Sequence, residues 1–334
     1  MNKMPDYSVV VDCMGGDFAP DEILKGAISG SKKYGISLKL VGERDRIIRS
    51  AGKNNLDISG IPIINSTDSI SMDDAPSDVI KRKQQSPVFL GTLEAARFGR
   101  NAFLSAGNTG AVMACSLFNM KKIEGLLRPA IAVVIPVADK RFVLIDAGAN
   151  VEMKPLYLKQ FAIMGKVYAN QILKIVEPRI GLLNVGSEEK KGTETVVEGY
   201  KLLKNTKINF IGNVEGRDIF EGKADVVVCD GFTGNILLKS IEGMAGFFFS
   251  EIKSLLYTNF MTRFSALLLK NSLRLMKKKF DYEEYGGALL IGINGISIIS
   301  HGSSKARAIE NAVQVADESL KGNIVNKIRE EIER

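Results

Sequence analysis

The chain contains five apolar runs that each stop at a polar residue and pass into a loop containing glycine. Three of them stop at aspartates, with residues 9–11 before Asp12, 142–145 before Asp146 and 226–229 before Asp230. Two others stop at Ser105 and Asn184. Continuous apolar runs followed by helical segments are typical of buried parallel strands, and ligands bind beyond the carboxyl ends of such strands. The pattern therefore predicts five polar loops along one edge of one sheet.

Strand and helix patterns alternate from residue 8 to about residue 250, which favours a doubly wound, mostly parallel α/β sheet. No stretch rich in proline, glycine or serine divides the chain, so residues 1–334 are expected to form a single α/β domain of one or two lobes. A helix is expected over residues 235–244, preceded by a loop over residues 231–235.

Residues 247–280 follow a different pattern. Their apolar positions recur at helical spacing and then slip, which predicts two amphipathic helices or one bent helix. Arg263, Lys270 and Arg274 make the segment too polar to span a bilayer, since each would cost about 2.5–3.5 kcal/mol at its centre. Two interpretations stay open, a helical pair that covers the core or a dimer edge, and a surface that lies on an anionic membrane.

The formal net charge of +7 comes from this same segment. No acidic residue lies between Glu251 and Asp281, whereas seven lysines and arginines do, and the rest of the chain has 38 basic and 38 acidic residues. A local basic patch of this kind is not a general nucleic-acid surface, and no nucleic-acid partner is expected. Three widely spaced cysteines fit neither a disulfide framework nor a zinc cluster, and no apolar signal segment opens the sequence, so the cytoplasm is expected.

Several catalytic signatures are missing from the sequence. It has no G-x-G-x-x-G, no G-x-x-x-x-G-K-[ST] and no G-x-S-x-G, and its single histidine is His301. We therefore expect no bound cofactor and no metal.

Three loops are suited to anions because they combine glycine with Ser, Thr or Asn immediately before a helix. Backbone N–H groups and the helix dipole bind phosphate or carboxylate at such junctions, although Ser or Asn at this position is more often only a cap. The candidate phosphate-binding residues are Asn108, Thr109, Gly110, Gly231, Thr233, Gly234, His301, Ser303 and Ser304.

The motifs in these loops resemble those of the bacterial phosphate acyltransferases called PlsX. The likeness begins at residues 12–20, which read D-C-M-G-G-D-F-A-P, and continues in order through the chain. Its other segments are residues 105–111, 128–130, 146–150, 184–188 with Lys191 and Gly192, 229–235, 285–288 and 301–304, whereas residues 73–87 fit less well. The resemblance implies a fold like that of the isocitrate and isopropylmalate dehydrogenases and the phosphotransacetylases. It also implies a homodimer that contacts the inner face of the membrane peripherally.

The activity implied by the resemblance is the synthesis of acyl phosphate from fatty acyl-acyl carrier protein and inorganic phosphate, for phospholipid synthesis. The chemistry and the resemblance together indicate Lys191 and Asn235 as the catalytic residues. Asp12, Asp146 and Asp230 are expected to orient loops, because carboxylates would repel phosphate. Three alternatives stay open: a metal-dependent NAD(P) 2-hydroxyacid dehydrogenase, a phosphate acyltransferase that uses coenzyme A thioesters, and a membrane-surface scaffold without turnover.

Overall fold

The computed structural model describes residues 7–71, 73–98, 100–137, 139–280 and 286–333, without the side chains at positions 98 and 277–280. Residues 1–6, Tyr285 and the side chains of Lys277, Lys278 and Lys279, which entered the sequence predictions, lie outside the described residues.

Eleven strands form one sheet. They are β1 (Ser8–Asp12), β2 (Ser37–Gly42), β3 (Ile63–Asn65), β4 (Asn101–Ser105), β5 (Ala130–Val137), β6 (Lys140–Ile145), β7 (Ile180–Leu183), β8 (Phe210–Val214), β9 (Val226–Val228), β10 (Ala288–Ile291) and β11 (Ile296–Ile299). Their order across the sheet is β3-β2-β1-β4-β11-β10-β5-β6-β9-β7-β8.

Helices cover the sheet between these strands. They are α1 (Asp21–Tyr34), α2 (Arg44–Lys53), α3 (Pro76–Arg82), α4 (Pro87–Phe98), α5 (Thr109–Met120), α6 (Pro155–Tyr168), α7 (Glu194–Lys204), α8 (Gly216–Phe220), α9 (Gly231–Leu256), α10 (Phe260–Phe280), α11 (Ala306–Lys321) and α12 (Ile324–Glu333). A π-helical turn, Ala169–Leu173, continues α6.

Both faces of the central strands are buried, as the continuous apolar runs predict. Val9 and Val11 of β1 face a core that includes side chains of α1, α6, α11 and α12. Val10 faces a second core that includes side chains of α4 and α5. This alternation along a strand with no exposed residue confirms an α/β fold whose large sheet has helices on both sides.

The strands do not all run in one direction. β1, β2, β3, β4 and β11 are mutually parallel, and so are β6, β7, β8 and β9. Three antiparallel pairings, β11 with β10, β10 with β5 and β5 with β6, separate the two sets and leave them opposed. The sheet is mostly parallel, but the prediction that all five polar loops share one edge is wrong.

The register nevertheless brings the carboxyl ends of both sets to the middle of the sheet. One row of paired residues crosses it, in the order Leu104, Ile298, Leu289, Ala132, Ile145. Leu104 is the penultimate residue of β4 and Ile145 is the last residue of β6. The two opposed sets therefore end at the same level, and loops from both begin beside this row.

The contact between α1 and α11 depends on a missing side chain. A Cβ built on Gly26 of α1 would lie 2.3 Å from the carbonyl oxygen of Ala306 and 2.6 Å from the Cβ of Ile309. No atom lies within 4 Å of a Cβ built on Gly52 of α2. Both glycines lie in helices, but Gly26 is tightly packed against α11, whereas Gly52 has open space beside it.

We expect Gly26→Ala to lower the free energy of unfolding by about 1–3 kcal/mol, because the methyl group overpacks the helix contact. Gly52→Ala is the matched control and should raise it by about 0.5–1 kcal/mol through helix propensity. Urea unfolding followed by circular dichroism measures both. Equal effects of the two substitutions would contradict the close approach of α1 to α11.

Candidate active site

A pocket of about 160 Å³ lies on the face of the sheet that carries α5 and α9. Its apolar floor includes Ile131 and Val133, alternate residues of β5, and its polar wall joins residues from three separate loops and helices. Thr109, Asn235, His301 and Ser304 are the sequence candidates that line it. The structure thus gathers four of them at one place beside the central row of the sheet.

The turn that follows β11 has an internal hydrogen bond that fixes the histidine ring. The backbone N–H of Ser303 donates to Nδ1 of His301 at 3.2 Å, and the Ser303 hydroxyl lies 2.7 Å from the same atom. Because Nδ1 accepts, the neutral ring carries its proton on Nε2 and can donate from there. Ser304 is buried in the same turn, just before α11 begins.

The loop after β4 ends in a capped helix. Asn108 is the N-cap of α5, and its Oδ1 accepts a hydrogen bond from the backbone N–H of Ala111 at 3.0 Å. Its Nδ2 donates to the carbonyl oxygen of Ser71 at 3.2 Å. The Asn108 amide is therefore occupied by structural bonds, whereas Thr109, the first residue of α5, is exposed and lines the pocket. Gly110 lies beside Pro76 instead.

Helix α9 begins four residues earlier than the sequence pattern predicts. Residues 231–235 form its first turn and not a loop, with Asp230 as the N-cap that accepts from Thr233. Gly231 and Gly234 are buried, and a Cβ on Gly234 would lie 1.9 Å from the carbonyl oxygen of Asp146. Thr233 donates its hydroxyl to Asp230 at 2.7 Å. These contacts seat the helix and leave Asn235 exposed towards the pocket.

Two of the three aspartates that follow the apolar runs, Asp12 and Asp146, are buried and accept hydrogen bonds from the backbone of their own loops. Asp146 accepts hydrogen bonds from the backbone N–H groups of Ile131, Gly148, Ala149 and Asn150. Burial raises the pKa of the Asp146 carboxyl, while these donors act in the opposite direction. Converging N–H groups stabilise a carboxylate but repel a cation, so this site does not suit a metal ion.

Asp12 has the same role in the loop after β1. It accepts from the backbone N–H groups of Met14 and Gly15 and from the hydroxyl of Ser105 at 2.7 Å. Burial raises the pKa of the Asp12 carboxyl, and the Ser105 and backbone donors oppose that rise. Within the described parts of the chain, no three His, Cys, Asp or Glu side chains are grouped as metal ligands.

Lys191 does not line the pocket. It is exposed on the loop after β7, where its carbonyl oxygen accepts from Nδ2 of Asn184 at 2.9 Å. Lys239 is the cation that does line the pocket, and it forms an ion pair with Glu242 at 2.7 Å. Sequence reasoning missed Lys239 because it lies inside a predicted helix, without a motif. Its position one turn after Asn235 is the signal that could have found it.

Sequence reasoning also missed Ser300. It lines the pocket, is 3% exposed, and its hydroxyl oxygen has no hydrogen-bond partner among the residues that the structure describes. A buried hydroxyl without a partner is unfavourable unless a ligand completes its bonding. A serine that ends an apolar run was the signal that picked out Ser105, and Ser300 fits it as well.

Among the residues that the structure describes, no helix is both long enough and apolar enough to cross a membrane.

Comparisons with known proteins identify the family of the chain. A family model described as "Fatty acid synthesis protein" matches residues 7–327. The phosphate acyltransferase of Halothermothrix orenii is 45% identical over 329 residues, which is 98% of each chain.

Solved structures share the fold. The EutD phosphotransacetylase from Staphylococcus aureus aligns over 94% of each chain with a TM-score of 0.65 and 16% identity. A 4-hydroxythreonine-4-phosphate dehydrogenase from Klebsiella pneumoniae aligns over 95% of this chain and 99% of its own, with a TM-score of 0.53 and 12% identity. At these identities the likeness is one of fold alone.

We expect Ser300→Ala to leave the free energy of unfolding within about 0.5 kcal/mol of its original value, because no hydrogen bond is lost. Ser297→Ala is the matched control, since Ser297 is also buried but accepts a hydrogen bond from Ser116 at 2.8 Å. It should lower the free energy by about 1–3 kcal/mol by orphaning that donor. Urea unfolding checks both, and an equal loss would show that Ser300 has a partner.

Proposed function

The chain belongs to the PlsX family of phosphate acyltransferases, and on that premise we propose that it transfers a fatty acyl group from acyl carrier protein to inorganic phosphate at the pocket beside Asn235. One observation carries the assignment of the site. The pocket joins hydrogen-bond donors from Thr109, Asn235 and His301 to an apolar floor. Donors suit an oxyanion and the floor suits the start of an acyl chain, so both reactants can meet there.

The reaction needs no covalent enzyme intermediate. An oxygen of phosphate attacks the thioester carbonyl carbon, the new C–O bond forms, and the C–S bond breaks with release of the thiolate. Phosphate is already an anion, and a thiol with a pKa of about 8.5 is a good leaving group. The enzyme therefore has to position the reactants and stabilise the oxyanion that develops on the carbonyl oxygen.

The donors in the pocket fit this task. The amide of Asn235 makes no hydrogen bond within the described residues, so it is available to the carbonyl oxygen. His301 and Thr109 line the same pocket and can supply further donors. The amino-terminal ends of α5 and α11 also border the pocket and add positive partial charge, which favours phosphate there.

Lys191 lies on the loop that follows β7, the strand next to β9. β7 pairs with β9 in parallel, so the loop that carries Lys191 and the start of α9 leave the sheet side by side. A lysine has a long, flexible stem and a mobile ammonium group. We assign Lys191, whose side chain is exposed, to the developing negative charge.

The helices α9 and α10 supply the remaining partner surface. Several large apolar side chains on them are strongly exposed, among them Phe260 at 83%, Met261 at 77% and Leu268 at 73%. Arg263, Lys270 and Arg274 lie on the same helix α10. We propose that residues 247–280 contact an anionic membrane peripherally, with each cation contributing about 1 kcal/mol. A homodimer, which the family resemblance implies, is part of this proposal.

We expect Asn235→Ala and Lys191→Ala each to lower acyl-phosphate formation by roughly 10²–10³, because each removes a group that stabilises the transition state. Phosphate-dependent release of thiol from acyl-acyl carrier protein measures turnover. Ser240→Ala and Lys190→Ala are matched controls, since both residues are exposed and neither lines the pocket. Near-normal turnover in the Asn235 and Lys191 variants would remove both from the mechanism. The same assay with a coenzyme A thioester identifies the preferred acyl donor.

We expect simultaneous Arg263→Glu, Lys270→Glu and Arg274→Glu substitutions to abolish flotation with anionic vesicles, because attraction becomes repulsion. The control changes Lys32, Lys81 and Lys190 to Glu, which alters the net charge equally at exposed sites elsewhere. Flotation that persists in the first variant, or that is lost equally in both, contradicts the assignment. A raised KM for acyl carrier protein with unchanged flotation would assign the basic surface to the carrier protein instead.

A further inference from the structure

A second cavity, of about 640 Å³, lies at the carboxyl ends of β1, β2, β3 and β4. It is enclosed by residues 43–46 at the start of α2, residues 65–70 after β3, and the turn that contains Gly107 and Asn108. β1 lies between β2 and β4, so the cavity occupies a topological switch point, where open α/β sheets bind ligands. Its volume is within the range of small-molecule sites.

The cavity and the candidate active site share one turn. Gly107 and Asn108 line the cavity, and the next residue, Thr109, lines the pocket with Asn235. Asn108 is also bonded to the carbonyl oxygen of Ser71, which ties the segment after β3 to this turn. A ligand that fills the cavity and reaches this turn therefore ends beside the reacting groups.

The charges of the cavity favour a neutral ligand over a polyanion. Four carboxylates line it, those of Asp12, Glu43, Asp45 and Asp68, against two cations, Arg44 and Arg46. Arg44 is held by its own protein contacts, since its backbone N–H donates to Asn65 and its Nη2 donates to the carbonyl oxygen of Ile63. A nucleotide or several phosphates would meet more negative than positive charge here.

The uncharged groups of the cavity suit a ligand that carries amides and methyl groups. The hydroxyls of Thr67 and Ser69 make no hydrogen bond within the described residues, so they can donate to and accept from a ligand. Ile70 and the buried Val88 form an apolar part of the wall. Amide partners and a small apolar surface are what a pantetheine arm requires, since it carries two amides, a hydroxyl and two geminal methyl groups.

We propose that this cavity holds the neutral pantetheine arm of the acyl donor, with its sulfur at the turn between Asn108 and Thr109. The inference rests on the proposed function and adds where the donor lies. The thioester then meets the pocket of Asn235 and His301 from the side of β1 and β4. Because the cavity does not favour extra phosphates, it recognises the part of the donor that carrier protein and coenzyme A have in common.

Alkylation of a Ser69→Cys variant tests the occupant. Cys13, Cys115 and Cys229 are all buried, so they give little background with a maleimide. The full chain is treated in the presence of S-ethylpantetheine, a neutral thioether. At about ten times its Kd this probe should slow alkylation at position 69 about tenfold, in proportion to occupancy. Ser59→Cys is the matched control, because Ser59 is also exposed but does not line the cavity.

Protection of the Ser69 variant alone supports the proposal. Protection of neither variant, or of both alike, overturns it, and so does protection by inorganic phosphate where the thioether gives none. Coenzyme A should protect at concentrations close to those of S-ethylpantetheine. Protection by coenzyme A alone would show that the cavity binds the nucleotide, and would contradict the proposal that it holds the neutral arm. Turnover of the unsubstituted chain with phosphate is measured separately. Turnover without protection would contradict only the assignment of the cavity to the pantetheine arm. Protection without turnover would contradict only the proposed function.

A Ser69→Trp variant gives a kinetic readout of the same idea. The bulky ring should raise KM for an acyl-pantetheine about tenfold or more, whereas the acyl thioester of N-acetylcysteamine, which lacks most of the arm, should keep its KM. The truncated donor reports that the variant is folded and active. An unchanged KM for acyl-pantetheine in an active variant would contradict the proposal, and Ser59→Trp controls for the substitution itself.

Discussion

The register of the central strands is the constraint on which the rest of this molecule depends. Two sets of parallel strands point in opposite directions, and yet Leu104 of one set and Ile145 of the other fall in the same row of backbone pairing. A slip of one residue in this row would exchange the two faces of a strand and separate the loops that now meet. The hairpin of β10 and β11, together with β5, maintains that row. The position of the candidate active site is therefore set by strand pairing, and the side chains that line it depend on that pairing.

Much of the fold could be predicted from the sequence, because strands buried on both faces leave a continuous apolar run. The direction of those strands could not be predicted in the same way. An apolar run such as 226–228 has the same pattern whichever way its neighbours point. Of the three antiparallel pairings that reverse the second set, β5 with β6 and β10 with β11 join consecutive strands, whereas β10 with β5 joins residues as far apart in the chain as Leu289 and Ala132. The five loops were therefore identified correctly as strand ends, but they were placed on one edge.

The start of α9 shows a second limit of sequence reasoning. The sequence predicts a loop at residues 231–235, and glycine disfavours a helix by about 1 kcal/mol relative to alanine. The structure requires glycine there because the carbonyl oxygen of Asp146 leaves no room for a Cβ on Gly234. Sequence reasoning picked out Thr109, Asn235, His301 and Ser304, all of which line the pocket. It missed Lys239, which has no motif, and Ser300, which ends an apolar run as Ser105 does.

The length of α9 has a mechanical consequence. The helix has 26 residues and is anchored at its first turn, where Gly231 and Gly234 are clamped against residues 146–150. At a rise of about 1.5 Å per residue, its far end lies about 38 Å from the anchor and Asn235 only about 6 Å from it. A rigid tilt about that pivot is therefore reduced about sixfold at Asn235. A displacement of several ångströms at the outer end would move the Asn235 amide by about 1 Å or less.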